Sequence, residues 1–345
     1  MKKTVGKLGL LVILGFSLFF PMVGQAKDNS ENPAGFSVES VIPENQVDKT
    51  KTYYYLSLEP GQKQKIQAKV ISTQEEPVTV EVAIHDAVSG SSGAIDYANK
   101  KPKLDKSLSN PITSIVTIDK GIKEVTVKNF EEKIVEYEIT MPPEAFPGVK
   151  LGSLRFVRKG EESEKSTSGL IPEYARVVAL MLTEDEEAFN HGAELDLKKV
   201  GLDLSNGRKV IAASLQNDQP KVLQDMVIEG KVTRKGEKDT IAKQEIKDFS
   251  VAPNSNFKFE IPLGLDRFAP GEYVFTGQAK GDARTWQWKQ AFTVGKKRAD
   301  TINEDTVYRI RVPKWVPWVA GLLIAGLILS MLLLLRRQKS WQERK

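Results

Sequence analysis

The sequence predicts an all-β protein with two tandem immunoglobulin-like β-sandwich domains, followed by one C-terminal transmembrane α-helix. Its 345 residues exceed the length of a typical domain, about 100–200 residues, which indicates two domains rather than one. Short segments alternate apolar and polar residues, as Val78–His85 does, and this period of two is typical of strands with one buried face. Near the C-terminus, the apolar residues 315–335 form a run long enough to cross a membrane.

Residues 1–26 have the three parts of a secretory signal peptide. A basic segment with three lysines precedes the apolar run Leu8–Phe20, and Gly24-Gln25-Ala26 supplies a small-x-small cleavage site. An uncleaved anchor helix is the alternative interpretation. The short apolar run and the Pro21 that follows it favour cleavage, so the rest of the chain is predicted to be exported.

The first domain is predicted to span residues 34–158. The turn signal Glu59–Gln62 separates the predicted strands Tyr53–Leu58 and Lys65–Ile71, which are therefore expected to form a hairpin. Further strands are predicted at Phe36–Val41, Val78–His85, Ile112–Ile118, Glu124–Lys128, Ile134–Met141 and Gly152–Val157. Many short strands without a convincing amphipathic helix indicate an antiparallel sandwich.

Residues 159–169 are small and charged, which predicts a linker or long loop, and the second domain is predicted to span 170–296. Its strands are predicted at Tyr174–Leu182, Glu194–Val200, Lys209–Gln216, Asp225–Thr233, Thr240–Val251, Phe257–Ile261, Glu272–Lys280 and Trp286–Val294. This pattern repeats that of the first domain, so a second sandwich is expected.

The last part of the chain predicts a membrane anchor. Polar residues 297–314 are expected to form a stalk, residues 315–335 a transmembrane helix, and residues 336–345 a basic cytoplasmic tail. Tryptophans at one end of the apolar run and Arg336-Arg337 at the other are typical of the two membrane interfaces. The predicted location is therefore the cell membrane, as a single-pass type I protein whose ectodomain lies outside the cell in the cell wall.

The distribution of charge excludes some classes of function. The net charge is +5, of which the first 26 residues carry +3 and the last ten +4, leaving −2 for the residues between them. The basic character thus belongs to the two ends, where it meets a membrane, and no nucleic acid partner is predicted. The absence of cysteine and the presence of only two histidines exclude thiol catalysis and Cys-ligated or multi-histidine metal centres. No cofactor and no metal site is predicted.

Three features are weak candidates for chemistry. Ser255-Asn256-Phe257-Lys258 has the Ser-x-x-Lys spacing of penicillin-binding enzymes, but Lys-Thr-Gly is absent and a strand is predicted there. Glu184–Glu187 offers oxygen ligands for calcium without the spacing of a calcium loop, so a solvated turn is expected. His85 and His191 have no second histidine nearby and are expected to be solvated. The chain is therefore predicted not to be an enzyme.

Two aromatic clusters are the candidate binding residues. Tyr53, Tyr54 and Tyr55 lie on one predicted strand, whose side chains alternate between two faces, so at least one ring is expected at the surface. Trp286 and Trp288 share one face of a later strand. Aromatic surfaces bind sugars and peptides, and packing in a sandwich core is the alternative for both clusters.

Several segments, in the same order along the chain, resemble those of the WxL-interacting proteins of Gram-positive bacteria. They are Phe36–Glu39, Val41–Gln46, Leu58–Gln62, Pro142–Glu144, Gly152–Phe156, Ala252–Phe257 and Gly271–Tyr273. The resemblance implies a first, immunoglobulin-like domain that binds peptidoglycan and a second domain that binds a host or extracellular matrix protein. It also implies partnership with secreted proteins that carry Trp-x-Leu motifs. This chain contains no Trp-x-Leu itself, so it resembles the membrane-held partner.

The leading hypothesis is a membrane-anchored cell-surface binding protein of a Gram-positive bacterium. Its first domain would bind peptidoglycan, and its ectodomain would bind a protein partner, either a secreted Trp-x-Leu protein or a host matrix protein. A structural spacer or adhesin for host matrix ligands is the alternative. A cell-wall hydrolase is a third hypothesis, which only the location supports.

Overall fold

Two β-sandwiches follow one another along the chain in the computed structural model, which describes residues 33–160, 173–308 and 315–342, with helix side chains described to residue 334. The predicted all-β class, with two immunoglobulin-like sandwiches and one apolar C-terminal helix, is confirmed. The predicted signal peptide, most of the linker and part of the stalk lie outside the described residues.

The first sandwich packs two sheets face to face. One sheet has the strand order β1-β3-β9-β7, and the other has the order β2-β11-β10-β4-β8. The strands are β1 (Phe36–Val41), β2 (Tyr54–Ser57), β3 (Lys63–Ser72), β4 (Val78–Asp86), β7 (Val116–Ile118), β8 (Glu124–Val127), β9 (Glu132–Thr140), β10 (Val149–Arg158) and β11 (Ala175–Thr183), with a small hairpin of β5 (Val88–Ser89) and β6 (Ile95–Asp96) beside them.

The alternating pattern of β3 shows how the sequence builds this core. Ile66, Ala68 and Val70 point between the sheets and are buried. The intervening Lys65 and Lys69 face outward and pair with glutamates on β9. Because consecutive strand residues point to opposite faces, one sequence pattern supplies both the core and a solvated face.

The predicted hairpin around Glu59–Gln62 is wrong, although a turn does occur there. Gly61 has a φ of 72°, which only glycine adopts without strain, so the turn itself follows from the sequence. Strands β2 and β3 nevertheless belong to different sheets, because β2 pairs in parallel with β11. A local turn signal does not distinguish a hairpin from a connection that crosses between two sheets.

The segment Ile112–Ile118, predicted as one strand, begins as a helical turn. Helix α1 (Ile112–Ile115) precedes β7, and both isoleucines at its ends are buried. The Asp86 carboxylate accepts hydrogen bonds from Thr113 N at 3.1 Å and Thr113 Oγ1 at 2.6 Å. This tertiary contact outweighs the strand preference of the β-branched residues.

Strand β11 lies in the first sandwich, whereas the sequence pattern placed its residues in the second domain. Residues 175–183 pair antiparallel with β10 from Val149 to Val157. Leu180 and Leu182 are fully buried in the first core. The first sandwich therefore closes only after the chain has passed through residues 159–172.

The second sandwich packs a sheet of order β12-β13-β16 against a sheet of order β15-β14-β17-β18. The strands are β12 (Asp196–Ser205), β13 (Arg208–Asn217), β14 (Leu223–Arg234), β15 (Thr240–Val251), β16 (Ser255–Pro262), β17 (Gly271–Gly281) and β18 (Arg284–Val294). Aromatic residues fill the space between the sheets, among them Phe249, Phe257, Phe259, Tyr273 and Phe275.

The beginning of the predicted stalk is part of the second domain. Residues 296–305 form helix α2 (Lys296–Asp305), which buries Ala299 and Ile302 against the sandwich. Asn303 accepts a hydrogen bond from Phe268 N at 2.8 Å and donates one to Phe268 O at 2.9 Å. Two apolar residues three positions apart are enough for this contact because they lie on one helix face.

Helix α3 (Val316–Gln342) contains the apolar run, and its residues 316–334 are long and apolar enough to cross a membrane by length and composition. None of that run is buried against the sandwiches. A helix that is apolar all round and uncovered by protein is typical of a membrane span.

The two sandwiches meet end to end at a junction built from the loop 87–110 of the first domain. Ser89 N donates to Ser255 Oγ at 2.9 Å, and Ser89 Oγ accepts from Ala252 N at 2.9 Å. Ser250 N donates to Gly93 O at 2.8 Å. These buried polar contacts fix the relative position of the two domains because their loss would leave unsatisfied donors.

Asp105 adds a carboxylate to the junction. Its oxygens accept hydrogen bonds from Gln216 Nε2 at 2.8 and 2.9 Å and from Asn256 Nδ2 at 2.8 Å, both on the second sandwich. Burial raises the pKa of Asp105, but hydrogen bonds from Ser107, Asn256 and Gln216 together lower it to about 2. These hydrogen bonds therefore favour the charged form of the carboxylate at the junction.

Candidate functional site

The tyrosine cluster lies mostly inside the protein. Tyr54 is fully buried in the first core, and its hydroxyl donates to Gln67 O at 2.6 Å. Tyr55 is buried on the other face of the sheet, edge-on to Phe189 with ring centroids 5.6 Å apart. Tyr53 is half-buried beside the same cluster. Tyr54 and Tyr55 therefore pack, and of the three only Tyr53 presents part of its ring to solvent.

The tryptophan cluster packs against the second core. Trp286 is buried, and its Nε1 donates to Glu194 Oε1 at 3.1 Å, while the Arg284 guanidinium lies over its ring. Trp288 is half-buried against the same core. A binding role stays a prediction for Tyr53 and Trp288, whose rings are partly accessible.

The residues of the weak motifs have structural contacts. Ser255 Oγ accepts the junction hydrogen bond described above, and Lys258 forms an ion pair with Asp203 at 2.6 Å. In the acidic run, Glu184 and Asp185 accept hydrogen bonds from Phe146 N and Gly148 N at 2.8 and 2.9 Å. These carboxylates therefore satisfy backbone amides rather than standing free in a solvated turn.

The prediction that His85 is solvated is wrong. The side chain is buried, because the loop 87–110 covers the outer face of its sheet, where Ser153 Oγ donates to Tyr97 O at 2.7 Å. Burial lowers the pKa of His85, and the nearby charges of Arg155 and Lys100 lower it further. The sequence gives the strand face correctly but not the loop that covers it.

This buried histidine should make stability fall on mild acidification. Below about pH 6.5 the unfolded chain binds a proton that the folded protein binds less tightly, so the free energy of unfolding decreases as the pH drops towards the folded-state pKa. Urea unfolding of the ectodomain at about pH 7.5 and about pH 5.5 measures this decrease. The variant His85→Gln should show a smaller decrease, and an equal decrease in both proteins would assign the effect to other groups.

A cleft lies at the end of the first sandwich that faces away from the junction, and we call it the outer cleft. Its cavity volume is about 540 Å³. It is lined by Pro33, Thr73, Gln74, Glu75, Glu76, Phe130 and Arg158. Arg158 also lines a neighbouring cavity of about 180 Å³ together with Lys159. The lining thus combines one aromatic ring with carboxylates, amide groups and cations.

Phe130 is exposed at this cleft and lies in a strained turn. Its side chain is 61% accessible, and its φ is 59°, a left-handed conformation that costs a residue with a side chain about 1–2 kcal/mol. The turn is fixed onto the opposite segment, since Asn129 N donates to Glu75 O at 3.0 Å and Phe130 N donates to Gln74 O at 3.3 Å. Strained backbone positions cluster at functional sites, so an exposed ring held at one is a candidate for binding.

The chemistry of the outer cleft suits a ligand with both apolar and polar faces. An aromatic ring packs against the carbon-bound hydrogens of a sugar, while the carboxylates of Glu75 and Glu76 accept hydrogen bonds from hydroxyl, amide or ammonium groups. The Arg158 guanidinium, which donates to Pro33 O at 3.0 Å, adds a positive charge to the lining of the cleft. A glycan that carries peptides has both the apolar faces of sugar rings and the polar groups that such a lining would bind.

The position of the cleft follows from the strands that lead to it. Strands β4 and β10 each have one end at the junction, at Asp86 and Val149, and the other end at the outer cleft, at Val78 and Arg158. In the second sandwich, β13 likewise runs from the junction at Asn217 to the turn before Arg208, on the side that leads to α3. The outer cleft and the end of the second sandwich from which the chain continues towards α3 are therefore at opposite ends of the two sandwiches.

Comparison with known protein families identifies both domains. Residues 36–158 match the family described as WxL Interacting Protein, peptidoglycan binding domain. Residues 165–304 match WxL Interacting Protein, host binding domain. The chain belongs to the WxL-interacting protein family. As a member of that family, it is a cell-surface binding protein whose two matched domains are both binding domains.

Other comparisons add little to the family assignment. No curated protein matches the chain significantly. Solved structures of fimbrial chaperones are similar in part: a chaperone–tip adhesin complex of CFA/I fimbriae (9% identity, TM-score 0.30, covering 74% of this chain and 98% of that chain) and the class 5 fimbriae chaperone CfaA (11%, 0.27, 70% and 97%). A third is the CsuC–CsuE pre-assembly complex from Acinetobacter baumannii (9%, 0.30, 68% and 93%).

Sequence reasoning missed the outer cleft because its residues come from four separate segments. Only one local signal was available: the pair Asn129-Phe130 follows an alternating strand at a point where a polar turn residue is expected. Neither the turn nor the alternation of the flanking strands calls for an aromatic residue at this position. Such a mismatch between a residue and its local structure often marks a functional position.

Proposed function

We propose that this WxL-interacting protein binds peptidoglycan through the outer cleft while helix α3 holds it in the cell membrane. The orientation proposed is single-pass type I, with residues 27–314 outside the membrane and the C-terminal tail in the cytoplasm. The observation that carries the proposal is the position of the cleft at the end of the ectodomain opposite the anchor. A ligand layer that lies outside the membrane would meet that end first.

The lengths of the strands support this arrangement. Strands β10 and β13 have 10 residues each and lie on the path from the outer cleft through the junction to the anchor. At about 3.3 Å per residue, each strand is about 30 Å long. The lengths of both β10 and β13 therefore lie between the cleft and the anchor. The second sandwich thus acts as a spacer between the membrane and the first domain.

Sedimentation with purified, insoluble peptidoglycan tests the proposal. The ectodomain, residues 27–308, should pellet with peptidoglycan, and so should the first sandwich alone, provided that the fragment includes β11. The second sandwich alone, residues 190–308, should stay in the supernatant. Pelleting of the second sandwich but not of the first would contradict a wall-binding first domain.

The variant Phe130→Gly should weaken binding while it stabilises the fold. Removing the ring should lower the affinity for peptidoglycan about tenfold, equivalent to about 1.4 kcal/mol. Glycine relieves the left-handed strain, so the free energy of unfolding should rise by about 0.5–1 kcal/mol. Peptidoglycan sedimentation and urea unfolding measure the two effects.

Ile122→Ala is the matched control for this variant, because Ile122 is also an exposed apolar residue of the first sandwich but does not line the cleft. It should leave peptidoglycan binding unchanged. If Phe130→Gly destabilises the protein, the ring has a packing role. If the variant still binds peptidoglycan as the unmodified protein does, the outer cleft is not the binding site.

We further propose that the second domain binds a protein partner, either a secreted Trp-x-Leu protein or a host matrix protein. Strand β15 supports this, because it is an edge strand of its sheet and its first half is largely exposed. An edge strand offers backbone groups to an added strand. Retention of each candidate partner on immobilised second sandwich, with the first sandwich as the control, tests the proposal.

A further inference from the structure

The end of the second sandwich nearest to α3 carries an exposed apolar group of residues, which we call the anchor patch: Leu265, Val307 and Tyr308. Their accessible fractions are 52%, 69% and 44%. Single exposed apolar residues are common on soluble proteins, but here three occur together on the two segments closest to the membrane helix.

Backbone and side-chain contacts place these residues around the beginning of β13. Val307 N donates to Gly207 O at 3.0 Å, and the side chain of Lys209 donates to Leu265 O at 3.2 Å. The Arg208 guanidinium lies 4.5 Å from the centre of the Tyr308 ring. Leu265, Val307 and Tyr308 therefore border one short stretch, residues 207–209.

The chain that leads out of the domain is fixed as far as this patch. Thr306 is buried, and its Oγ1 donates to Gly207 O at 2.8 Å. Gly207 has a φ of 73°, and a Cβ at this position would lie 2.6 Å from Val307 Cγ2, so glycine permits the close approach. The segment 296–308 is therefore held against the sandwich and adds no flexible length to the connection with α3.

The remaining connection is short. Six residues separate Tyr308 from Trp315, which precedes α3 and, with Trp318, is typical of a membrane interface. Fully extended, the seven Cα–Cα steps from Tyr308 to Trp315 span at most about 25 Å, so the Tyr308 end of the anchor patch lies within that distance of Trp315. The sequence of the connection, Arg309-Ile310-Arg311-Val312-Pro313-Lys314, adds three cations that complement lipid phosphates.

We propose that the anchor patch docks onto the membrane in which α3 is inserted, with Leu265, Val307 and Tyr308 in the interfacial layer of the phospholipids. Arg208 and Arg267 flank the patch and meet the phosphate groups. Acidic residues also occur at this end, among them Asp266 and Asp305, so the apolar side chains and not the net charge carry the contact. The inference rests on the proposed membrane anchoring by α3.

Fluorescence quenching in nanodiscs tests this docking on the full chain. Because the chain has no cysteine, Leu265→Cys gives a single site for an environment-sensitive dye. The label at residue 265 should lose most of its fluorescence when the nanodisc contains lipids with a quencher near the headgroup. The control, Ile134→Cys on the exposed face of the first sandwich, should keep its fluorescence.

A second substitution distinguishes docking from mere tethering. Adding Val307→Asp to the labelled Leu265→Cys protein places a charge in the patch without changing the tether, and quenching should then be lost. Quenching that persists after Val307→Asp, or that never occurs at residue 265, would overturn the proposal. Failure of the full chain to enter nanodiscs would instead contradict the membrane anchor.

Discussion

A fragment of residues 33–158 should not fold, whereas a fragment of residues 33–190 should. The shorter fragment ends where the matched peptidoglycan-binding domain ends, but it lacks β11. Strand β11 buries Leu180 and Leu182 in the first core and pairs with β10 from Val149 to Val157. Loss of each buried leucine costs about 2–5 kcal/mol, and a domain has only about 5–15 kcal/mol in total.

Circular dichroism and urea unfolding of the two fragments measure this difference. The shorter fragment should show no cooperative transition, and the longer one should unfold in a single step. Two variants of the longer fragment serve as controls: Leu182→Asp should abolish folding, while Val177→Asp, at an exposed position of the same strand, should be tolerated. A cooperative transition in residues 33–158 would show that β11 is dispensable.

Substitution of Gly148 by alanine should open the junction between the domains. Gly148 has a φ of 66°, and a Cβ there would overlap the carbonyl oxygen of Pro220 in the second domain. The next residue, Val149, donates its N–H to that same oxygen at 2.9 Å. The overlap involves backbone on both sides, so the domains must move apart or the loops must distort.

Gly61→Ala is a matched control for Gly148→Ala. Gly61 has a similar φ of 72°, but a Cβ at this position would have no neighbour within 4 Å. It should lower the stability by about 1–2 kcal/mol through the left-handed conformation alone and leave the domain arrangement unchanged. Small-angle X-ray scattering should show a larger maximum dimension only for Gly148→Ala, and equal scattering from both variants would mean that the junction accommodates the side chain.

The sequence was sufficient for features that depend on local periodicity. The alternation in β3, β4 and β16 predicted the strands and their buried faces, and the apolar run predicted the apolar helix α3. These predictions succeed because a period of two or an unbroken apolar segment has one physical interpretation. The resemblance to a known family then supplied the domain order, which residue patterns alone do not contain.

Features that depend on long-range pairing could not be predicted in this way. Strand β11 has the same pattern whether it pairs with β10 before it or with strands after it, so the pattern alone did not show that it belongs to the first sandwich. The buried state of His85 and Tyr55 depends on the loop 87–110 and on Phe189, which come from elsewhere in the chain. The outer cleft is lined by four segments that are distant in sequence, and no local pattern predicts that they come together.

The end-to-end arrangement of the two sandwiches has a mechanical consequence. If the outer cleft binds the wall and α3 lies in the membrane, as proposed above, the protein experiences tension whenever turgor widens the gap between these layers. That tension would pass through the junction, where Ser89, Asp105 and Val149 form hydrogen bonds with the second sandwich. Resistance to a pulling force depends on the rate of unfolding and not on equilibrium stability alone. In the proposed arrangement, the polar contacts of the junction would therefore affect how long the two sandwiches stay together under a pulling force.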